Sequence, residues 1–249
     1  NRTRIITSLA QPVLFLFVLG SGLSPILPGG NGSVDYRTFM FPGVLAMTVL
    51  FTSMFSAVSI VWDREFGFLR EMLVAPVRRS ALIIGKCLGG ATVATLQGTI
   101  LLALAGFVHV PYSPTLLLVL VLEMAMTAMM LTAIGVMIAS RLETIESFQV
   151  LMQLIALPMF FLSGAVFPLN RLPRWLATLT RIDPLTYAVD PMRRAVFDHL
   201  SVPAATRNGL VPGLTWGGWR VPTVLELGIV IAVSTVCLSV AVVQFSRAD

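Results

Sequence analysis

Thr115-LLLVLVLEMAMTAMMLTAIGVMIA-Ser140 holds a single ionisable side chain, Glu123. About 20 consecutive apolar residues suffice to cross the hydrocarbon core of a bilayer as a helix, and this stretch exceeds that length. Comparable runs lie on both sides of it. They are Ile5–Leu23 with Pro12 near its start, Phe41–Trp62, Ala81–Phe107, Phe148–Phe167 interrupted by Pro158, and Val224–Phe245. A backbone in lipid must satisfy its own hydrogen bonds, so apolar runs of this length are read as helices. The reading is an all-α integral membrane protein with six transmembrane helices, residues 1–249 forming one transmembrane domain.

Composition agrees. Of the 249 residues, 56% are hydrophobic and 12% charged, against about 25% charged in a soluble domain. The net charge of +5 sits between the apolar runs, which points to topology and anionic lipid headgroups and away from nucleic acid. Cys87 and Cys237 fall inside apolar runs without CxxC spacing or a Cys/His cluster, so neither a metal site nor a disulfide framework is expected. No HExxH or GxSxG appears within the runs, which argues against a membrane-embedded enzyme. The chain opens on Asn1, and residues are expected to precede it.

Orientation follows from the arginines of the short loops. One side carries Arg2, Arg4, Arg64, Arg70, Arg78, Arg79, Arg141 and Arg247; the other carries Arg37. Both termini are therefore expected in the cytoplasm, with the protein multi-pass in a cell membrane, the bacterial inner membrane. Residues 168–221 become an external segment despite their arginines. Leu172, Trp175, Leu176 and Leu179 recur there at helical spacing, predicting short amphipathic helices at the outer interface with Trp175 and Tyr187 at headgroup level. Asp183-Pro184 and Asp190-Pro191 each read as a capping carboxylate before a first-turn proline. Ser201 to Arg220 reads as irregular loop.

Residues 63–80 form the most informative loop. Phe66, Leu69, Met72 and Leu73 share one helical face, with Arg64, Glu65, Arg70 and Glu71 around it. Pro76 stops the helix, and Arg78 and Arg79 follow. Such a helix could lie on the membrane surface or present its charges to a cytoplasmic partner. Within the spans, Glu123 is the deep ionisable residue, and burying such a group costs about 2.5–3.5 kcal/mol on insertion scales. Gln97 and Glu123 lie at equal sequence distance on either side of Val110. Both fall about 20 Å below that hairpin tip at 1.5 Å per residue, where they could hydrogen-bond, or Glu123 could meet a partner subunit. Pro158, Ser163 and Gly164 loosen the fifth span and make it a candidate pathway lining, with Phe160 and Phe161 as aromatic surface. Lys86 and Glu226 are placed to snorkel. Gly85 and Gly89, extended by Gly90, form a GxxxG suited to close packing within the subunit.

Glu65-FGFLREMLVAPVRR-Ser80 with Gly85-Lys86, then Pro158-MFFLSGAVF-Pro168, Leu172-Pro-Arg-Trp175 and Asp183-Pro-Leu-Thr-Tyr187 with Asp190 and Arg193, together resemble the ABC-2 type transporter permeases. The resemblance is closest to the daunorubicin-resistance and nodulation-factor exporter branch. It implies a subunit that dimerises with itself or a paralogue and docks on a separate ATP-binding subunit through the region matching Glu65 to Ala75. On that footing Arg64, Glu65, Phe66, Leu69, Arg70, Glu71, Leu73, Arg78 and Arg79 are the candidate coupling interface, and Gln97, Glu123, Pro158, Phe160, Phe161 and Ser163 the candidate intramembrane pathway. The resemblance further implies outward movement of an amphipathic drug- or lipid-like substrate, with no cofactor on this chain and ATP and Mg on the partner. Gly85-Lys86 is no phosphate loop, because Ser80 replaces the first Gly and Cys87 the Ser/Thr. An ion-coupled secondary transporter or channel is the alternative, weakened because Glu123 alone lies deep.

Overall fold

The computed structural model describes residues 10–23, 35–67, 79–169, 172–200, 202–216 and 218–247. Five helical stretches among them are long and apolar enough to span a membrane. The first combines α2 (Tyr36–Ser56) and α3 (Val58–Glu65). The others are α4 (Arg79–Leu102), α5 (Pro114–Ala139), α6 (Ile145–Leu162) and α10 (Thr223–Arg247). Where a sixth, N-terminal span is expected, the described residues hold a shorter apolar helix, α1 (Ala10–Gly22), π-helical over Phe15–Leu19. The connecting elements are α7 (Arg174–Ile182), α8 (Thr186–Asp198), α9 (Ala204–Leu210) and the antiparallel pair β1 (Thr215–Trp216) and β2 (Trp219–Arg220).

α5 is the centre of the bundle, packing against α2, α4, α8 and α10. Its sequence explains this position. Apolar on every side, it has no polar face to keep at a surface, the pattern of a helix surrounded by others. Small residues set the closest approaches. Gly135 of α5 faces the Met54 carbonyl of α2, and Gly98 of α4 lies under Met124 of α5. Of the expected glycine motif, Gly85 and Gly89 look into open space; a side chain at Gly90, in contrast, would collide with Ser56 and Thr132. The helix-packing glycine is therefore Gly90, one position beyond the GxxxG.

Boundaries move where local chemistry decides them. α6 begins at Ile145, where the Thr144 hydroxyl accepts from the Ser147 N–H at 3.4 Å. It ends at Leu162, short of the expected Phe167, because Gly164 adopts φ 75° and turns the chain. α3 ends at Glu65, with Gly67 at φ 80°. Much of the expected amphipathic loop helix, including Leu69, Arg70, Glu71, Met72, Leu73 and Arg78, lies outside the described residues.

The segment after α6 departs most from expectation. α7 is amphipathic, with Trp175, Leu179 and Ile182 exposed. α8 does not rest at an interface: it is buried from Thr186 to Arg193 and packs on α2, α5 and α10. Tyr187 is buried with it, donating to the Arg181 carbonyl at 2.7 Å and standing edge-on to Trp216. Ser201–Arg220, expected to be irregular, includes α9 and the β1–β2 pair.

Gly43 of α2 lies directly against the backbone of the turn that follows α6. A Cβ there would stand 2.5 Å from the Ala165 carbonyl oxygen and 2.8 Å from its Cα. Gly43→Ala should destabilise the fold by about 1–3 kcal/mol, the usual cost of overpacking, read as a lower thermal midpoint in detergent.

Candidate functional site

Polar side chains gather at the two ends of the bundle. At the end holding α8 and the starts of α2, α5 and α10, Arg193 is buried, donating to the carbonyls of Gly164 at 2.7 Å and Ala165 at 3.1 Å. Its guanidinium also sits 4.2 Å from the centroid of Phe39. Freed carbonyls inside a membrane protein need partners, and Arg193 supplies them where α6 breaks. Burial lowers the Arg193 pKa to about 10, so it stays charged at neutral pH. Tyr36 bonds the next free carbonyl, Val166, at 2.5 Å.

Arg194, the adjacent residue, joins two carboxylates. Its guanidinium pairs with Asp190 and, at 3.1 Å, with Glu226 of α10; it also donates to the Val221 carbonyl at 2.9 Å. Asp190 further accepts from the Leu214 N–H at 3.0 Å. Asp190 and Pro191 thus lie inside α8 instead of capping a helix, with the Asp190 carboxylate held by Arg194 one turn on and by the Leu214 N–H. Glu226, expected to snorkel, is fully buried. Asp183 does act locally at the start of α8, accepting from the Leu185 N–H at 3.1 Å and the Thr186 hydroxyl at 3.3 Å. Burial nevertheless pushes its pKa up to about 7.

At the opposite end, the head of the 63–80 loop is tied to the turn between α5 and α6. Arg64 donates to the Ser140 carbonyl at 2.9 Å and to the Leu142 carbonyl at 3.0 Å, closing the end of α5. Glu65 accepts from the Ile145 N–H at 2.8 Å, where a carboxylate favours the exposed donors at the start of α6. Lys86 pairs with Asp63 and donates to the Ser59 carbonyl at 3.3 Å. Phe66 is exposed. Arg79 opens α4.

The intramembrane candidates separate. Gln97 accepts from the Thr52 hydroxyl of α2 at 3.0 Å. The Glu123 carboxylate is buried and one of its oxygens, Oε2, has no hydrogen-bond partner among the described residues. The structure shows no Gln97–Glu123 bond. Phe160 is buried edge-on to Phe15 at 5.7 Å and to Phe161 at 5.4 Å, while Phe161 and Pro158 stay exposed. Ser163 is buried, donating to the Phe160 carbonyl at 2.7 Å. Gln149, Val150, Gln153, Leu154 and Leu157 continue the uncovered face of α6. Sequence reading passed over Arg194 and Asp63. The four-residue spacing of Asp190 and Arg194 is a readable helical pair; no local pattern ties Lys86 to Asp63.

Packed apolar helices long enough to span a membrane, with charged clusters at both ends, are those of a polytopic membrane protein. A profile of the ABC-2 type transporter family matches residues 1–197, and the chain belongs to that family. It is 28% identical to the putative transport permease ycf38 of Cyanophora paradoxa, across 79% of this chain and 69% of that protein. It is 29% identical to nodulation protein J of Rhizobium leguminosarum bv. trifolii, across 77% and 73%. It is 31% identical to the probable multidrug ABC transporter permease YbhR of Escherichia coli K12, across 64% of this chain and 44% of YbhR. The family is the membrane component of ABC transporters.

Replacing Arg194 with Met leaves two buried carboxylates without their shared cation. It should cost about 3–5 kcal/mol, as for other broken buried pairs, with partial rescue by Glu226→Gln, both read from thermal unfolding in detergent. Asp183 gives a pH signature. Its folded pKa of about 7 lies above the usual value of 3.8, so the unfolded chain loses this proton first as pH rises. The group therefore lowers stability progressively between those two values and by a constant amount above them. Asp183→Asn should remove that decline, leaving the variant more stable relative to wild type at pH 8 than at pH 4.

Proposed function

We propose that this chain is the permease subunit of an ATP-driven exporter, moving an amphipathic drug- or lipid-like molecule outward with energy from a separate ATP-binding subunit. The observation that carries the reading is the attachment of Arg64 and Glu65 to the α5–α6 turn. The first residues of the loop that resembles a coupling element are bonded to the end of the central helix and the start of the next span. A push on residues 66–79 by a cytoplasmic partner would act on α5 and α6 together. In this reading the Arg64 end faces the cytoplasm, both termini lie there, and residues 168–221 face outward. ATP and Mg belong to the partner. A second copy or paralogue would cover the open face of α6, where Gln149 and Gln153 put amides on a surface otherwise suited to lipid. The likeness to YbhR, a probable multidrug ABC transporter permease, supports the substrate class.

One observation favours the alternative of an ion-coupled transporter: the Glu123 carboxylate at mid-span, whose Oε2 has no hydrogen-bond partner among the described residues. The readings part on what accompanies the chain. Purified in mild detergent with the protein encoded beside it, the chain should bring down an ATPase, and Glu71→Lys should release that subunit. Glu65→Ala should retain it while reducing ATP-dependent transport several-fold. A chain that purifies alone and moves solute in response to an ion gradient, with the movement abolished by Glu123→Gln, would replace the exporter reading.

A further inference from the structure

At the Arg64 end, the turn between α5 and α6 is bonded on two flanks. Arg64 and Glu65 of α3 hold one, through the Ser140 and Leu142 carbonyls and the Ile145 N–H. Gln244 of α10 holds the other. Its amide nitrogen donates to the Met137 carbonyl at 3.1 Å and to the Ser140 hydroxyl, and its oxygen accepts from Arg141 Nε at 3.1 Å and Nη2 at 2.9 Å. The opposite amide orientation would set its N–H donors against a guanidinium that only donates, so this assignment is the one that satisfies both groups. Ser140, itself buried, is therefore held by two helices at once, its carbonyl by Arg64 and its hydroxyl by Gln244. The two guanidinium donors converging on one oxygen fix the angle of approach as well as the distance.

α10 is gripped again at its other end, where Glu226 pairs with Arg194. Glu226 and Gln244 lie about 27 Å apart along the helix at 1.5 Å per residue, with Thr235 midway. Beside that midpoint a groove of about 670 Å³ runs between α10 and α4, lined by Leu88, Thr92 and Leu96 of α4 and Thr235, Leu238 and Ser239 of α10, among others. The hydroxyls there are turned back on their own helices: Thr92 donates to the Leu88 carbonyl at 2.8 Å, Thr235 to Ile231 at 2.8 Å and Ser239 to Thr235 at 2.7 Å. Close-packed interiors resist displacement, and the groove relieves that resistance on one flank of α10. A helix tied at both ends and unobstructed on one side can tilt as a rod.

We propose that Gln244 is a positioning residue that carries movement of the α5–α6 turn into α10, which tilts about its Arg194 end toward the groove beside α4. A displacement at Gln244 reaches the groove at about half its size, because Thr235 lies midway along the rod. The source of the movement, a partner pushing on residues 66–79, rests on the exporter reading; the linkage from Arg64 through Ser140 to Gln244 stands on the geometry alone.

Hydrogen exchange of the full chain in lipid nanodiscs tests that linkage without a partner. Gln244→Leu should speed exchange of the 241–245 amides about tenfold, the effect of losing a hydrogen bond to a charged group. Gln244→Glu, which keeps an oxygen for Arg141, should restore slow exchange. Arg141→Met should act like Gln244→Leu, so that misfolding of one variant leaves the other. Arg64→Gln, on the far side of the turn, should speed the same amides about threefold and add nothing in the Gln244→Leu background. No response of these amides to Arg64→Gln, or full additivity of the two substitutions, is what a purely local role for Gln244 gives, and either would overturn the proposal. In the complex with the ATP-binding protein encoded beside the chain, trapping with ATP and vanadate should change exchange at 241–245. Gln244→Leu should abolish that change while ATP hydrolysis without vanadate continues. Failure of any ATPase to join the chain would count against the exporter reading alone, since the exchange cycle on the isolated chain still decides the linkage.

Discussion

The need to satisfy backbone carbonyls where α6 stops inside the bundle shapes one whole end of this protein. A helix can cross lipid because it closes its own hydrogen bonds, and a break in it exposes groups that lipid cannot serve. Gly164 turns the chain there, and Arg193 takes up the two carbonyls so released. That requires a guanidinium in the interior, which requires α8 to enter the bundle. α8 then brings Asp190 and Arg194 with it, and Glu226 of α10 completes the charge set. One turn of the backbone thus accounts for a buried helix, a buried ion cluster and the tight seam between Gly43 and Ala165.

Much of the fold was legible because hydrophobic length is a one-dimensional property. The runs that became α2 with α3, α4, α5, α6 and α10 could be counted in the sequence, and the uniform apolarity of α5 agrees with its central place. Asp190, Arg194 and Glu226 were harder. A carboxylate before a proline is a local cap signal, and the pattern at Asp190-Pro191 is the same whether or not a tertiary partner takes the carboxylate. Arginines spaced along 174–194 look like the polar face of an interfacial helix, because sequence does not reveal that Arg193 and Arg194 have buried partners. Glu226 was read as snorkelling for the same reason: its position near a helix end was visible and its cation was not. The glycine motif failed differently, since Gly85, Gly89 and Gly90 share a composition, and only the azimuth of the neighbouring helices selects Gly90.

The two ends treat charge in opposite ways. Around Arg194 the ions are largely buried and paired with one another, which favours a fixed arrangement. Around Arg64 and Glu65 the partners are backbone groups at helix ends, in half-exposed surroundings. Bonds of that kind exchange with water at modest cost. A rigid cap at one end and an adjustable joint at the other is an arrangement through which a displacement applied at the joint can be carried along α5.

The central place of α5 also dictates the order in which the protein can be assembled. Its neighbours α2 and α4 precede it on the ribosome, whereas α8 and α10 follow. Until α10 is made, one flank of α5 rests against lipid or the insertion machinery, and Asp190 and Arg194 wait without Glu226. The bundle therefore closes only after α10 is made, and a chain truncated before Thr223 would leave its central helix open to the quality-control proteases of the membrane.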